Sequence, residues 1–194
     1  VHGLWMRAPV LGYWAAGLRA AGFDPVPFSY DTLRHAPEAA MPPLRALVMR
    51  DPDSHVLAHS LGGLVAVKAL ADAPGYRGRI VCVGSPLAGT RVLRRLAGTR
   101  LATIAGGSLD LLCNGLDAVP AGLSVSVIAG VRPFGLGRVL HRFSEPNDGS
   151  VALSETRIPG LQQHITVNAS HSGQLFSKQV LDAAVSLMEA GVVR

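Results

Sequence analysis

A mostly parallel β-sheet with helices on both faces is the fold class this sequence predicts. Short apolar runs rich in β-branched residues alternate with longer segments whose apolar positions recur at helical spacing, the pattern of strand–helix–strand units. Ala, Leu, Val and Gly dominate and aromatics make up only 5%, which suits helices packed closely on a sheet better than a β-sandwich. The residues able to carry chemistry fall where the strands end, the working edge of such sheets.

Residues 1–3 read as the tail of a strand running into a loop. Residues 10–22 carry apolar side chains at helical spacing, with Gly22 as a stop. Residues 23–30, FDPVPFSY, are extended, and their two prolines suggest a sheet edge or a strand end. Residues 38–50 read as a helix. The short buried strand HVLAH follows, then a helix over 61–73. RIVCVGSP is the next strand, a continuous β-branched run closed by Gly-Ser-Pro. The stretch 91–116 reads as two short helices broken at Gly106-Gly107. LSVSVIAG (123–130) and QHITVNA (163–169) are further strands, and an amphipathic helix over 172–190 closes the pattern.

A chain of 194 residues suits one domain, with 106–122 the place for a small cap or lid. Hydrophobic residues at 48% and charged residues at 16% describe a core-forming chain. No apolar run reaches the roughly 18 residues needed to span a bilayer. No signal-type segment is seen, although a leader or a first strand could precede Val1. Cys82 and Cys113 are too few for a disulfide framework. A cytoplasmic location is the expectation, with secretion left open. The formal net charge is +5, with arginines gathered at Arg91, Arg94, Arg95 and Arg100, then at Arg132, Arg138 and Arg142. Solvated helix faces are the expected reading, and attraction to an anionic membrane surface or an anionic substrate is the functional alternative. Nucleic acid is not an expected partner, because no aromatics interleave the basic residues. Nothing indicates an oligomeric state.

The sharpest local signal is residues 54–65, SHVLAHSLGGLV. A strand that turns abruptly into a helix strains the turning residue and requires small neighbours two before and two after it. Ala58-His59-Ser60-Leu61-Gly62 meets that demand, with alanine where the G-x-S-x-G pattern has its first glycine. The turn would present the Ser60 hydroxyl at the top of the sheet. The helix N-terminus, beginning with the Leu61 amide, would face developing negative charge.

A serine needs a base, and the base an orienting acid. Asp148 lies in the turn-rich EPNDGSVAL, and His171 follows the strand QHITVNA. Glu145 and Glu155 are fallback acids. His164 falls inside a predicted strand, and His59 occupies a variable position of the turn. A second oxyanion donor is expected from VHGLWM, where Gly3 allows close backbone approach and the Leu4 amide can point inward. His2 is expected to support that loop by hydrogen bonding.

Together VHGLWM, AHSLGG, NDGSVAL and SHSG resemble the α/β-hydrolase superfamily, in particular its small bacterial lipases and esterases. The resemblance covers nearly the whole chain. It implies a compact α/β-hydrolase fold lacking the first edge strands. It also implies Ser60 as nucleophile, Asp148 as acid, His171 as base, and the Leu4 and Leu61 amides as oxyanion hole. The expected activity is cleavage of a small ester or lipid-like substrate through an acyl-enzyme, with no metal and no cofactor. A thioesterase, amidase or acyltransferase on the same triad stays open, as does a non-catalytic binding protein of this fold. Trp5, His59, Leu112 and Leu116 are the candidates for the substrate pocket.

Overall fold

The structure, a computed structural model, describes residues 1–32, 34–96, 105–134 and 143–190. Arg100, Arg138, Arg142 and His141 lie outside the described residues. So does part of the segment between the two helices expected over 91–116.

Among the described residues, four strands form one parallel sheet in sequential order: β1 (Val56–His59), β2 (Arg79–Val83), β3 (Ser124–Gly130) and β4 (Gln163–Val167). The register runs Ala58 beside Cys82, Cys82 beside Val127 and Val127 beside His164. Around the sheet lie α1 (Gly12–Ala20), α2 (Met41–Val48), α3 (Leu61–Ala71), α4 (Arg91–Leu96), α5 (Leu109–Asn114) and α6 (Lys178–Glu189). The strands are apolar on both sides because both faces are covered. Ile80, Cys82, Val125 and Val127 point into a core shared with α2 and α3. Val81, Val83 and Ile128 point the other way, into a core built with α1 and α6.

Helix α3 runs through the middle of this packing, and every residue from Leu61 to Val67 is buried. Its glycines explain how it sits so close. A Cβ on Gly62 would stand 2.5 Å from the His2 carbonyl oxygen and 3.0 Å from that of Val1, and one on Gly63 would collide with Ser85. The helix therefore lies directly under the 1–3 segment and against the end of β2.

The elements fall close to their sequence positions, with three differences. Residues 1–3 form no strand of their own, yet Val1 N donates to Leu57 O at 2.8 Å and His59 N–H to Val1 O at 3.0 Å. That is a single rung of parallel pairing along the outer side of β1. Residues 23–30 stay outside the sheet and fold over His2, whose ring stacks on Tyr30 with centroids 4.6 Å apart. The helices expected from 10, 38 and 172 begin instead with 3-10 turns, at Ala8–Leu11, Pro37–Ala40 and Gly173–Phe176. Prolines occupy the first turn of the first two. In the third, Ser177 restarts the chain as the cap of α6, its hydroxyl accepting from Val180 N–H.

Candidate active site

Ser60 sits between β1 and α3 with φ +54 and ψ −125, a region that non-glycine residues rarely adopt. The strain follows from the topology. The chain must leave a buried strand and enter a buried helix within one residue, and Ser60 N–H is already committed to Val83 O at 2.9 Å. Ala58 is fully buried, so the small side chain at that position is a packing requirement.

Three predicted side chains meet here. His171 Nε2 lies 3.0 Å from Ser60 Oγ, and His171 Nδ1 lies 2.7 Å from Asp148 Oδ2. The second bond sets the tautomer, because a carboxylate only accepts: Nδ1 carries the proton and Nε2 is free to accept one from the serine. Asp148 is almost wholly buried. Its Oδ1 accepts from the amides of Ser150 at 2.9 Å and Val151 at 2.8 Å, and its main-chain carbonyl accepts from His171 N–H at 2.8 Å. Burial alone would push the Asp148 carboxyl up, but the charge and hydrogen bond of His171 and the two amides outweigh it and hold it below its ordinary value.

The loop carrying Asp148 is anchored from outside by the two glutamates that could have competed with it. Glu155 is buried and accepts from Arg91 N–H at 2.6 Å and Ala152 N–H at 2.9 Å. Glu145 pairs with the Arg91 guanidinium at 2.5 Å and accepts from Ser154 N–H at 3.1 Å. Both carboxylates are thus spent on tying the loop to the start of α4. His164 shares a 2.8 Å hydrogen bond with Thr156 Oγ1, and the Thr156 hydroxyl also contacts Leu153 O at 2.7 Å. It stays on β4, apart from the serine.

The loop at 2–5 approaches the serine as closely as backbone can. A Cβ on Gly3 would stand 2.9 Å from Ser60 Cβ, and Leu4 is the next residue along the chain. Leu61 is the first residue of α3, so its amide has no acceptor within the helix. His2 fixes the loop from behind. Its Nδ1 bonds Gly3 O at 3.0 Å, its Nε2 accepts from Tyr30 N–H at 3.2 Å, and Tyr30 Oη donates to His2 O at 3.1 Å. Trp5, next in line, has φ +59 and donates its N–H to Thr32 Oγ1 at 3.0 Å.

The pocket candidates are placed less uniformly. Trp5 is 56% exposed and adjoins Leu4. His59, Leu112 and Leu116 do not match the expectation of an open wall. His59 is fully buried behind His171, because alternation along β1 turns its ring inward. Leu112 is buried in the core shared with α3, and Leu116 packs on the same cluster. The apolar stripe of α5 is used to cover α3. A cavity of about 460 Å³ lies elsewhere, along the outer side of β1, lined by Val1, Val56, Leu57, Leu44, Val48 and Trp14 among others. Ser60, Asp148 and His171 are not among its walls, so the chemistry is located by the hydrogen-bonded groups.

No family model matches the chain, and no curated protein matches it in sequence. Solved structures do. The mature form of the lipase BlEst2 of Bacillus licheniformis superposes with a TM-score of 0.77 at 18% identity, over 97% of this chain and 89% of that one. A pyrethroid hydrolase of Sphingobium faniae JZ-2 gives 0.69 at 12% identity over 100% and 97% of the two chains. The Arabidopsis methylesterase MES16 gives 0.61 at 12% over 99% and 96%.

The chain has an α/β-hydrolase fold. It spans 49% of the propeptide form of the same Bacillus lipase.

Of two buried polar residues beside the relay, Gln174 escapes a reading of the sequence and His59, expected in the substrate pocket, serves the His171 loop instead. Gln174 Nε2 donates to Asp148 Oδ2 at 2.9 Å, and His59 Nε2 donates to His171 O at 3.0 Å. Gln174 is fully buried, as is His59. The only signal for Gln174 was an uncharged polar residue three positions after the candidate base, in a turn that otherwise reads as a helix start.

Proposed function

We propose that the chain is a serine hydrolase that cleaves carboxylic esters through an acyl-enzyme on Ser60. One observation carries the reading: an unbroken hydrogen-bonded relay, 3.0 Å from Ser60 Oγ to His171 Nε2 and 2.7 Å from His171 Nδ1 to Asp148 Oδ2, on a strained strand-to-helix turn. Ester-directed names among the structures of the same fold support an ester as the substrate class.

In the proposed reaction, His171 Nε2 takes the Ser60 proton as Oγ attacks the ester carbonyl carbon. Asp148 keeps the ring oriented and balances the positive charge that forms on it. The carbonyl oxygen becomes an oxyanion and accepts from the Leu4 and Leu61 amides, which are fixed before the substrate arrives. The carbon–oxygen bond to the alcohol breaks, and the alcohol leaves with the proton held by Nε2. Water then attacks the acyl-enzyme with its proton passing to Nε2, and that proton returns to Ser60 Oγ as the acid is released. No step draws on a metal or cofactor. Trp5, exposed beside Leu4, offers an apolar surface to the acyl or alcohol group of a small ester or lipid-like substrate.

The test is turnover of p-nitrophenyl esters of increasing acyl length. Ser60→Ala and His171→Ala are expected to lower kcat/KM by about 10³-fold or more, whereas His164→Ala stays within about twofold of the parent. Ser60→Ala retaining turnover contradicts the reading. An acylated Ser60 with no ester turned over would instead point to thioester, amide or acyl-transfer chemistry.

A further inference from the structure

Asp148 accepts four hydrogen bonds through its two carboxylate oxygens, and three of their donors belong to any account of the relay: His171 Nδ1, and the amides of Ser150 and Val151. The fourth is the Gln174 side-chain amide, at 2.9 Å from Oδ2, the oxygen that also accepts from His171. We propose that Gln174 is a positioning residue of the site, which holds Asp148 Oδ2 in line with the His171 ring and moderates how strongly the carboxylate retains the imidazolium. This rests on the serine-hydrolase reading of Ser60.

The surroundings are shaped to this amide. A Cβ on Gly84, at the end of β2, would stand 2.8 Å from Gln174 Nε2, and so would a Cβ on Gly130, the last residue of β3. One strand is thus followed by a glycine and the other ends in one where the side chain passes. Its backbone is pinned as well: Gln174 N–H donates to Ser170 O at 2.9 Å, and Trp14 Nε1–H donates to Gln174 O at 3.3 Å. The amide orientation is dictated by chemistry, since an oxygen facing Oδ2 would repel it. That orientation leaves Gln174 Oε1 buried without a hydrogen-bond partner. A buried acceptor without a partner is a cost of about 1–3 kcal/mol. A residue kept for folding alone would be better served there by an apolar side chain, so the carboxylate is what the amide serves.

The sign of its effect on pH dependence follows. Among the described residues, the titratable groups placed against Asp148 are His171, which bonds it, and His59, whose ring lies 4.8 Å from that of His171. His59 is kept neutral, with its pKa lowered to about 3 by burial first and the neighbouring His171 second. Gly84 and Gly130 contribute no charge. Without the Gln174 donor, the buried Asp148 charge is less well solvated and binds the protonated ring more tightly. The acid limb of activity is then expected to move upward.

The experiment compares Gln174→Leu and Gln174→Met with the parent by the rate of Ser60 labelling with a fluorophosphonate, and by ester kcat and KM, across pH 5 to 9. We expect kcat to fall about 10–100-fold, the worth of a hydrogen bond to a buried charge. KM is expected to stay within about twofold and the acid limb of labelling to rise by about one pH unit, with the melting temperature held within a few degrees. The methionine variant, unbranched and of similar volume, keeps the test open if the leucine variant fails to fold. Unchanged kcat and an unmoved limb overturn the proposal. Activity that falls only in step with lost folded protein, at an unmoved limb, also overturns it. A parent protein that is not labelled at Ser60 defeats the hydrolase reading itself, a result distinct from either.

Discussion

His59 shows how far a single buried side chain reaches. Its ring is packed between His171 and Trp14, with centroids 4.8 and 6.1 Å away, and it donates through Nε2 to the His171 carbonyl. Burial, then the neighbouring His171, lowers its pKa to about 3, against about 6.5 in an unfolded chain. Between those values the unfolded chain binds the extra proton and the folded one does not. The stabilising contribution is therefore complete above about pH 6.5 and is lost as pH falls toward 3, at about 1.4 kcal/mol per pH unit. His2, His55 and His164 are shifted in the same direction by burial. Urea unfolding midpoints measured from pH 7.5 to 4 are expected to fall steadily, and His59→Gln is expected to flatten that fall. An equal slope in the variant would show that His59 is not the group involved. Ser60, Asp148 and His171 were legible in the sequence because each sits at a strand end beside small or turn-forming residues. His59 and Gln174 were not, because their roles depend on which side chain a neighbouring element brings against them.

At the scale of elements, the site is assembled by two close approaches. Ser60 caps helix α3 and Leu61 opens it, and Val1 and His2 lie across the helix at Gly62. In Gly62→Ala the added methyl would meet backbone oxygens of His2 and Val1 rather than a side chain able to turn away. The 1–4 segment must then lift, taking the Leu4 amide with it. We expect a loss of about 1–3 kcal/mol in stability and a fall of about 10-fold or more in ester kcat. Thermal melting and steady-state kinetics check both, and a variant with parental kcat would show that the Leu4 amide has no part in the reaction. The strand–helix alternation that predicted these elements was clear because periods of 2 and 3.6 leave different apolar patterns. Two of the three 3-10 starts were hidden by prolines that suit either helix type. Residues 1–3 read as a strand tail, and a single rung at Val1 is what remains of that pairing. Leu112 and Leu116 illustrate the same limit: an apolar stripe predicts burial, but not whether a substrate or α3 provides it.

Across the whole molecule, the sheet gathers groups from four separate stretches at one end: Gly3 and Leu4, Ser60 and Leu61, Asp148, and His171 with Gln174. Parallel strands all finish on the same side, so the residues that follow β1, β3 and β4 meet without any being close in sequence. The fold is shared with a lipase, a pyrethroid hydrolase and a methylesterase at 12–18% identity. Such distance leaves the chemistry to be argued from this chain's own residues. The proposed chemistry depends on Ser60 acting as a nucleophile activated by His171. Treatment with a fluorophosphonate, followed by intact-mass measurement and peptide mapping, tests it most directly. One adduct per chain, located on Ser60, is expected, and none in Ser60→Ala. An unmodified parent, or an adduct that persists in Ser60→Ala, would contradict it.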